Sequence, residues 1–430
     1  MSFPRYPKTK PSGVDWLGDV PEHWARVRVK HLFDIGRGRV ISLEDAKEDG
    51  TYPVFSSQTT NDGCLGYLET FDFDCDQLTW TTDGANAGTV FLRRGKHNCT
   101  NVCGTLQVKQ TAEFSLTFGL HYLSFAAQFH KRPDTNGAKI MNGEMAEITT
   151  LVPPPSEQTA IASFLDHETG KIDVLVEEQR RLIALLKEKR QAVISHAVTK
   201  GLNPLAPMKP SGVEWLGDVP EHWEVKKLKR LGEIVSGFAF SSGDFSSSGV
   251  RVLKIANIQT GKLDWSDDSY LPEEFYEQYP RFAVLNGDIV FALTRPIIST
   301  GLKAAVAKMF DDRVLLNQRN ALFRANAGFD KNFLYHVLFS DSFIVAFENK
   351  IDFTGQQPNI SPIYIGDIKI PVPPHDEQAV IATFLASVGE QFDTLTAEAE
   401  RAIELLQERR TAVISAAVTG KIDVRSFHHG

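Results

Sequence analysis

Cysteine is scarce in this chain. The four cysteines among 430 residues, Cys64, Cys75, Cys99 and Cys103, all fall in the first quarter. That is no disulfide framework for a protein of this length, and the Cys99-x-x-x-Cys103 spacing is not that of a zinc knuckle or ribbon. Reduced thiols and no bound metal are expected. Long apolar runs are missing too: nowhere do some eighteen or more apolar residues follow one another, and Met1 to Lys10 holds no apolar signal core. A cytoplasmic protein without membrane contact is expected. Positive charge is not in excess, with a net charge of −8 and a pI near 5.9, which argues mildly against a firm unaided grip on phosphate. The stretches outside the helices balance Lys and Arg against Asp and Glu, so a local basic face remains open. Chemistry-bearing signatures are lacking as well. There is no Walker A GxxxxGK[ST], no Asn-Pro-Pro-aromatic motif for adenine methylation, and no nucleotide fingerprint beyond Gly36-Arg37-Gly38. No catalytic residue and no cofactor of its own are expected.

What the chain does have is itself, twice. KPSGVDWLGDVPEHW from Lys10 to Trp24 returns as KPSGVEWLGDVPEHW from Lys209 to Trp223, differing only at Asp15 and Glu214. VPPPSEQTAIASFL from Val152 to Leu165 returns as VPPHDEQAVIATFL from Val372 to Leu385, and KEKRQAVISHAVT returns as QERRTAVISAAVT. Seam positions after each Pro-rich start, apolar with polar interruptions, alternate steps of four and three: Ile161, Leu165, Glu168, Ile172, Leu175, Gln179, Leu182, Leu186, Lys189 and Val193 in the first copy, and Ile381 to Val413 through Leu385, Val388, Phe392, Leu395 and Leu406 in the second. This spacing predicts two helices of roughly 40 residues, about 60 Å long, with Ser156 and Asp376 as their N-caps. Polar seam residues favour a specified register, and the natural partner of one helix is its own copy, packed antiparallel. Pseudo-symmetry then requires the tail after Thr419 to lie near the Lys10 region.

Between the constant parts lie Ala25 to Leu151 and Glu224 to Pro371, which barely align with each other. Short strand signals at Thr89 to Leu92, Thr105 to Val108, Val250 to Ile255, Asp288 to Ala292 and Asp367 to Val372, with helical stretches at Phe114 to His130 and Asn332 to Asn349, give each segment a mixed α/β character. The predicted division is 1–151 for a first recognition domain, 152–200 for the first long helix, 201–371 for the linker and second recognition domain, and 372–430 for the second long helix and tail. Polar loops separate the strands: SSQTTNDG, TTDGANAG, RRGKHNCTN, LNQRN and TGQQPNIS. A single loop of this kind is usually a set of turns. Recurring in both segments, these loops offer the residue types that hydrogen-bond bases and phosphates. The candidates for DNA contact are Arg37, Arg39, Ser57, Gln58, Thr59, Thr82, Asn86, Arg93, Arg94 and Lys96 in the first segment. In the second they are Lys254, Asn257, Arg295, Gln318, Arg319, Gln356, Gln357 and Asn359, with Arg324 as a further basic candidate. Trp16, Trp24, Trp215 and Trp223 are identical in both halves, so they cannot distinguish two sequences and are assigned to packing.

The order GDVPEHW, variable segment, VPPP.EQ helix, GDVPEHW, variable segment, VPPH.EQ helix resembles the specificity subunit of type I restriction-modification systems over essentially the whole chain. GFAFSS, KIANIQTGKLD, LNGDIVFALTR, LLNQRNALFR and FTGQQPNISP resemble that family's target recognition domains, as do YPVFSSQTT, DGANAGTVF and HNCTNVCG. The resemblance implies a mixed α+β fold: two target recognition domains separated by two long antiparallel helices forming a coiled coil, with internal pseudo-two-fold symmetry. It implies a non-catalytic subunit that reads a bipartite target on double-stranded DNA and docks two methyltransferase subunits, and restriction subunits through them. S-adenosylmethionine would then belong to the methyltransferase partner, and ATP and Mg to the restriction partner. A stand-alone methyltransferase or endonuclease, and a structural coiled-coil scaffold, are the alternatives.

Overall fold

Both long helices form, over Pro155–Lys200 and His375–Val418, in a computed structural model that describes residues 3–427 except 43, 136 and 309–312. Each begins one residue before the expected cap. The Pro154 carbonyl accepts from the Glu157 and Gln158 N–H groups at 2.8 and 3.0 Å, and the Pro374 carbonyl accepts from Gln378 at 3.0 Å. Ser156 and Asp376 therefore sit exposed inside the first turn. In the first copy Pro155 takes the opening position, where its fixed φ suits the helix and its missing N–H needs no cap.

The buried stripe also differs from the predicted seam. Leu175, Leu182 and Leu395 are exposed, while Val176 and Ala399 are buried and Ile183 and Ile403 half-buried. The inward positions step 161, 165, 168, 172, 176, 179, 183, 186, 190, 194, 197 in one helix and 381, 385, 388, 392, 396, 399, 403, 406, 410, 414, 417 in the other. Both stripes return every 3.6 residues, the period of an unsupercoiled helix, so the 3.5-residue pattern read from Leu175 and Leu182 drifts off the buried face.

Contacts divide the chain into Met1–Arg180 with Glu400–Gly430, and Arg181–Ala399, so each long helix contributes to both units. Within the first unit the helices run antiparallel: Ile161 and Leu165 share a core with Ile414, Ala417 and Val418, and Arg410 reaches Asp173 at 3.0 Å further along. The second unit repeats this with Ala197 and Val198 against Ile381 and Leu385, and with Arg190 paired to Asp393.

The variable segments, which hardly align as sequence, fold alike. In the first unit a four-stranded antiparallel sheet runs Val90–Arg93, Gln77–Thr81, Cys103–Val108, Phe33–Arg37. In the second the order is Ala304–Val306, Ile289–Ala292, Asn320–Ala325, Gly232–Ser236, the same topology. A second sheet in each unit holds a parallel pair, Tyr52–Phe55 beside Lys96–Cys99 and Val250–Leu253 beside Val314–Leu316. Register makes Cys99 equivalent to Leu316, Arg37 to Ser236 and Thr81 to Ala292. The helical stretch predicted at Asn332 to Asn349 is two helices, Lys331–Leu338 and Asp341–Glu348, because the Ser340 hydroxyl caps a new start on the Phe343 N–H.

The constant elements close each unit around one carboxylate. Glu157, second after Pro155, accepts from the Trp24 indole at 2.9 Å, the Tyr6 hydroxyl at 3.1 Å and His23 at 2.7 Å. Glu377 likewise takes Trp223 at 3.1 Å and His222 at 2.7 Å. The next residue faces the recognition domain: the Gln158 carbonyl oxygen accepts from Ser115 N–H and that of Gln378 from Asp330 N–H, while their amides donate to the Pro153 and Pro373 carbonyls. Trp24 and Trp223 are fully buried. The tail does return to the N-terminal region: Asp423 N–H donates to the Pro4 carbonyl at 2.8 Å, and Phe3 and Phe427 both pack on Phe164.

His336 gives the second unit an acid sensitivity. It is half-buried on Lys331–Leu338, and desolvation first, then the neighbouring Arg190, pushes its pKa down to about 4, with Asp330 opposing. The unfolded chain then binds a proton near pH 6.5 that the folded unit refuses. Stability on the order of 3 kcal/mol is therefore lost between about pH 6.5 and 4 and not above. Hydrogen exchange of residues 331–347 should show protection falling across that window, and His336→Gln should flatten the fall.

Candidate nucleic-acid interface

At one end of each main sheet, four loops are tied to a single turn. In the first unit the turn is Thr100–Asn101–Val102, between the strands Lys96–Cys99 and Cys103–Val108. Gly38 N–H donates to Cys103 O, Arg39 N–H to Cys99 O, Thr100 N–H to Phe55 O and Thr82 N–H to Val102 O, while Ile140 N–H reaches Thr82 O. The second unit has the same five bonds: Gly237 to Asn320 O, Phe238 to Leu316 O, Asn317 to Leu253 O, Leu293 to Arg319 O and Ile360 to Leu293 O. The approach is close enough to require glycine, since a Cβ on Gly38 would lie 2.1 Å from Cys99 O and one on Gly237 1.9 Å from Asn317 O. One backbone scaffold therefore presents two different sets of side chains.

Most of the candidates in the first segment stand on this scaffold. Arg37, Arg39, Thr59 and Asn86 are exposed there and Ser57 and Gln58 half-exposed, with Arg39 held by Asp72 at 2.9 Å and Gln58 donating to the Cys64 carbonyl. Arg94 and Lys96 are exposed at the opposite end of the strand Lys96–Cys99, where Lys96 lies 4.4 Å from the Phe71 ring. In the second unit Arg295, Gln318, Arg319 and Asn359 meet at the turn, and Gln356 and Gln357 are exposed at the tip of the loop that Asp352 and Asn359 close. Lys254 follows the strand Val250–Leu253 and pairs with Asp267 at 2.9 Å.

Four basic or polar candidates are corrected to structural roles. Arg93 is 2% exposed; its guanidinium lies 3.6 Å from the Phe55 ring centre, bonds Thr79, and pairs with Asp62 at 2.9 Å. Its equivalent by register is the buried Ala307, so this position faces the space between the sheets. Thr82 is buried and donates to Val102 O. Asn257 is buried and its amide bonds the Asp264 and Asp267 carbonyls. Arg324 is committed to Asp288, at 3.0 and 2.6 Å, and their hydrogen bonds raise its pKa further.

A feature that the loop search missed is common to both units. Arg28 and Lys30 hold Glu147, the lysine at 2.7 Å, and the equivalent Lys227 and Lys229 hold Asp367 at 2.8 and 2.9 Å. These hydrogen bonds pull the Asp367 carboxyl down to about 2. Two cations on one carboxylate leave a net positive spot. The signal was present in the sequence, as ARVRVKH and EVKKLKR directly follow or include the end of each HW motif. Among the described residues, no group of three or more His, Cys, Asp or Glu side chains is placed to hold a metal ion, and no helix is long and apolar enough to cross a membrane.

The family model for the type I restriction modification DNA specificity domain matches residues 21–182 and again 220–405, once for each copy of the repeat. The chain belongs to this family. It is 29% identical over 421 residues to the MjaVIII specificity subunit of Methanocaldococcus jannaschii, covering 95% of each chain. A 144-residue match, 39% identical, covers 32% of this chain and 74% of a putative type I specificity subunit N-terminus from Mycoplasma pneumoniae. The EcoAI specificity subunit of Escherichia coli is 30% identical over 204 residues, 47% of this chain and 34% of that one. Among solved structures, a chain from work on complex assembly and conformational transition of the type I R-M system superposes with a TM-score of 0.69 at 13% identity, covering 93% of this chain and 98% of that one. The HsdS subunit from Thermoanaerobacter tengcongensis does so with 0.54 at 14%, covering 94% and 98%. These two likenesses show the fold. As a type I specificity subunit, the chain serves DNA sequence recognition and is not a catalyst.

Proposed function

We propose that each unit reads one half of a bipartite sequence in double-stranded DNA, and that the constant elements dock two methyltransferase subunits, with restriction subunits joining through them. The observation that carries this is the pair of equivalent turns, Thr100–Val102 and Asn317–Arg319, on one hydrogen-bonded scaffold with unrelated side chains. A duplicated scaffold keeps geometry constant while its exposed residues vary, as two half-sites of different sequence demand. The cation pairs Arg28 with Lys30 and Lys227 with Lys229, alike in both units, suit phosphate, which is alike at every base pair. The exposed Arg37, Arg39, Thr59, Asn86, Gln318, Gln356, Gln357 and Asn359 and the half-exposed Ser57, Gln58 and Lys254 supply the loop contacts.

With its acidic balance, the chain alone holds DNA weakly and its partners complete the clamp. It carries no cofactor; S-adenosylmethionine is used by the methyltransferase partner, and ATP and Mg by the restriction partner, in the cytoplasm. Footprinting of the chain with its methyltransferase subunits should give two protected patches separated by about one helical turn on one face of the duplex. A single continuous patch, or protection without sequence preference at moderate salt, would refute the reading.

A further inference from the structure

Two arginines of the second unit stand in backbone conformations that arginine rarely takes. Among the described non-glycine residues, only Asn61, Asp62, Arg295 and Arg319 have positive φ, at 45° for Arg295 and 65° for Arg319. A side chain in that region costs about 1–2 kcal/mol, a strain that persists where surrounding structure over-determines the backbone. The bracing is visible. The Arg319 carbonyl accepts from Leu293 N–H at 2.8 Å, the neighbouring Asn320 amide donates to the Leu253 and Asn317 carbonyls, and Arg295 N–H donates to Pro358 O at 2.8 Å. Since Leu293 pairs with Arg319, Arg295 lies only two residues beyond that turn.

The fold does not need arginine at these points. Register places Gly84, φ 87°, where Arg295 stands, and Val102 where Arg319 stands. Glycine serves the Arg295 position in the first unit without strain, and Val102 stands at the Arg319 position without a positive φ, so neither point calls for arginine and the reason for it in the second unit is its side chain. That side chain is not used internally. Arg251, Arg281, Arg313 and Arg324 of the same unit each reach a carboxylate, whereas Arg295 and Arg319 are exposed, with no hydrogen bond or ion pair to any described side chain. Their exposed neighbours Gln318 and Asn359 are neutral.

We propose that Arg295 and Arg319 are guanine-reading residues: the half-site bound by the second unit contains G·C pairs whose O6 and N7 acceptors take these two guanidinium forks in the major groove, and the first unit reads its half-site without counterparts to them. The inference rests on the reading of the loop cluster as a DNA interface. A phosphate contact would be met by a flexible surface lysine and gives no return for a strained, braced backbone, while two parallel bonds to one base edge depend on where the fork points.

The test is enrichment of randomised duplexes by the full chain co-purified with its methyltransferase subunits, for the wild type, Arg295→Gly and Arg319→Gly. Wild type is expected to enrich two half-sites, one holding guanines. Each variant loses about 5- to 150-fold of preference at one of those guanines and leaves the other half unchanged. Replacing that guanine by 7-deazaguanine should weaken wild type and leave the matching variant unaffected. Arg295→Gly should melt no lower than wild type, since glycine fits its backbone. Uniform weakening on every sequence, or half-sites whose guanines depend on neither arginine, overturns the guanine assignment alone. A wild type that enriches no sequence overturns the DNA interface itself, and the assignment with it.

Discussion

Exchanging residues 25–151 for the corresponding segment of a relative with a different target should replace one half of the recognised sequence and leave the other half unaltered. The segment enters and leaves through one ribbon: Ala25–Arg28 pairs antiparallel with Thr149–Val152, and Ala25 lies opposite Val152. The second segment does the same, with Glu224 opposite Val372. Cutting at both ends therefore severs the chain at two neighbouring points on one strand pair, and a donor domain carrying the same ribbon is joined without spanning a gap. It must also present an N–H to Gln158 where Ser115 does now, since a buried amide left unpaired there is costly. Each mismatched base pair costs about 1–3 kcal/mol, so three specified pairs amount to a preference of about 10²- to 10⁶-fold that should pass wholly to the donor's sequence. Methylation mapping of cells carrying the hybrid reads both halves at once. A change in both halves, or in neither, would show that the units do not read DNA independently.

The sequence exposed the constant parts well because each carries a demand that is local and periodic. The two helices follow from apolar spacing, and their equivalence from near-identical ends. Even there the inward stripe was misread at Leu175 and Leu182, since leucines on a helix surface look like a seam, and only the partner's position shows that Val176 and Ile183 face inward. The common fold of the variable segments was not legible. What they share is hydrogen bonds between main-chain atoms, such as Leu293 to Arg319 and Thr82 to Val102, which constrain side chains hardly at all beyond Gly38 and Gly237. Loop polarity picked out residues that the fold gathers at one end of the sheet in both units, yet it could not separate Arg39, which faces water, from Arg93, which lies under Phe55 in the same basic, Asn-rich surroundings. The layer between the sheets explains that failure. It is polar in the first unit, with Gln77 on His97 and Arg93 on Thr79, and largely apolar in the second, where Val290, Val314 and Ala307 pack and Asp288 is paired with Arg324. A polar residue in one copy was therefore no sign of exposure.

Glu157→Ala should destabilise the first unit by about 3–5 kcal/mol, more than Glu377→Ala should cost the second. Glu157 has an 8% exposed side chain and takes three donors, with Arg425 at 3.8 Å as a fourth neighbour. Removing it strands the Tyr6 hydroxyl and the Trp24 indole N–H in a buried site; burial pushes the Tyr6 pKa up, so that hydroxyl stays a neutral donor with nothing to receive it. Among the described residues Glu377 takes only His222 and Trp223, and its side chain is 30% exposed, so water can replace part of what is lost. A glutamine at 157 keeps an acceptor for Trp24 and should recover part of the loss. Hydrogen exchange on the full chain separates the cases: Glu157→Ala should lower protection in 17–24, 157–165 and 414–424, and leave 216–223 and 381–388 as in wild type. Equal losses for the two alanine variants would mean that the carboxylate acts through the helix start common to both copies, and not through its buried donors. At a temperature between the two transitions, the Glu157→Ala protein should still prefer the second half-site and have lost the first. A joint loss of both would place the reading of DNA on the paired helices in place of the separate units.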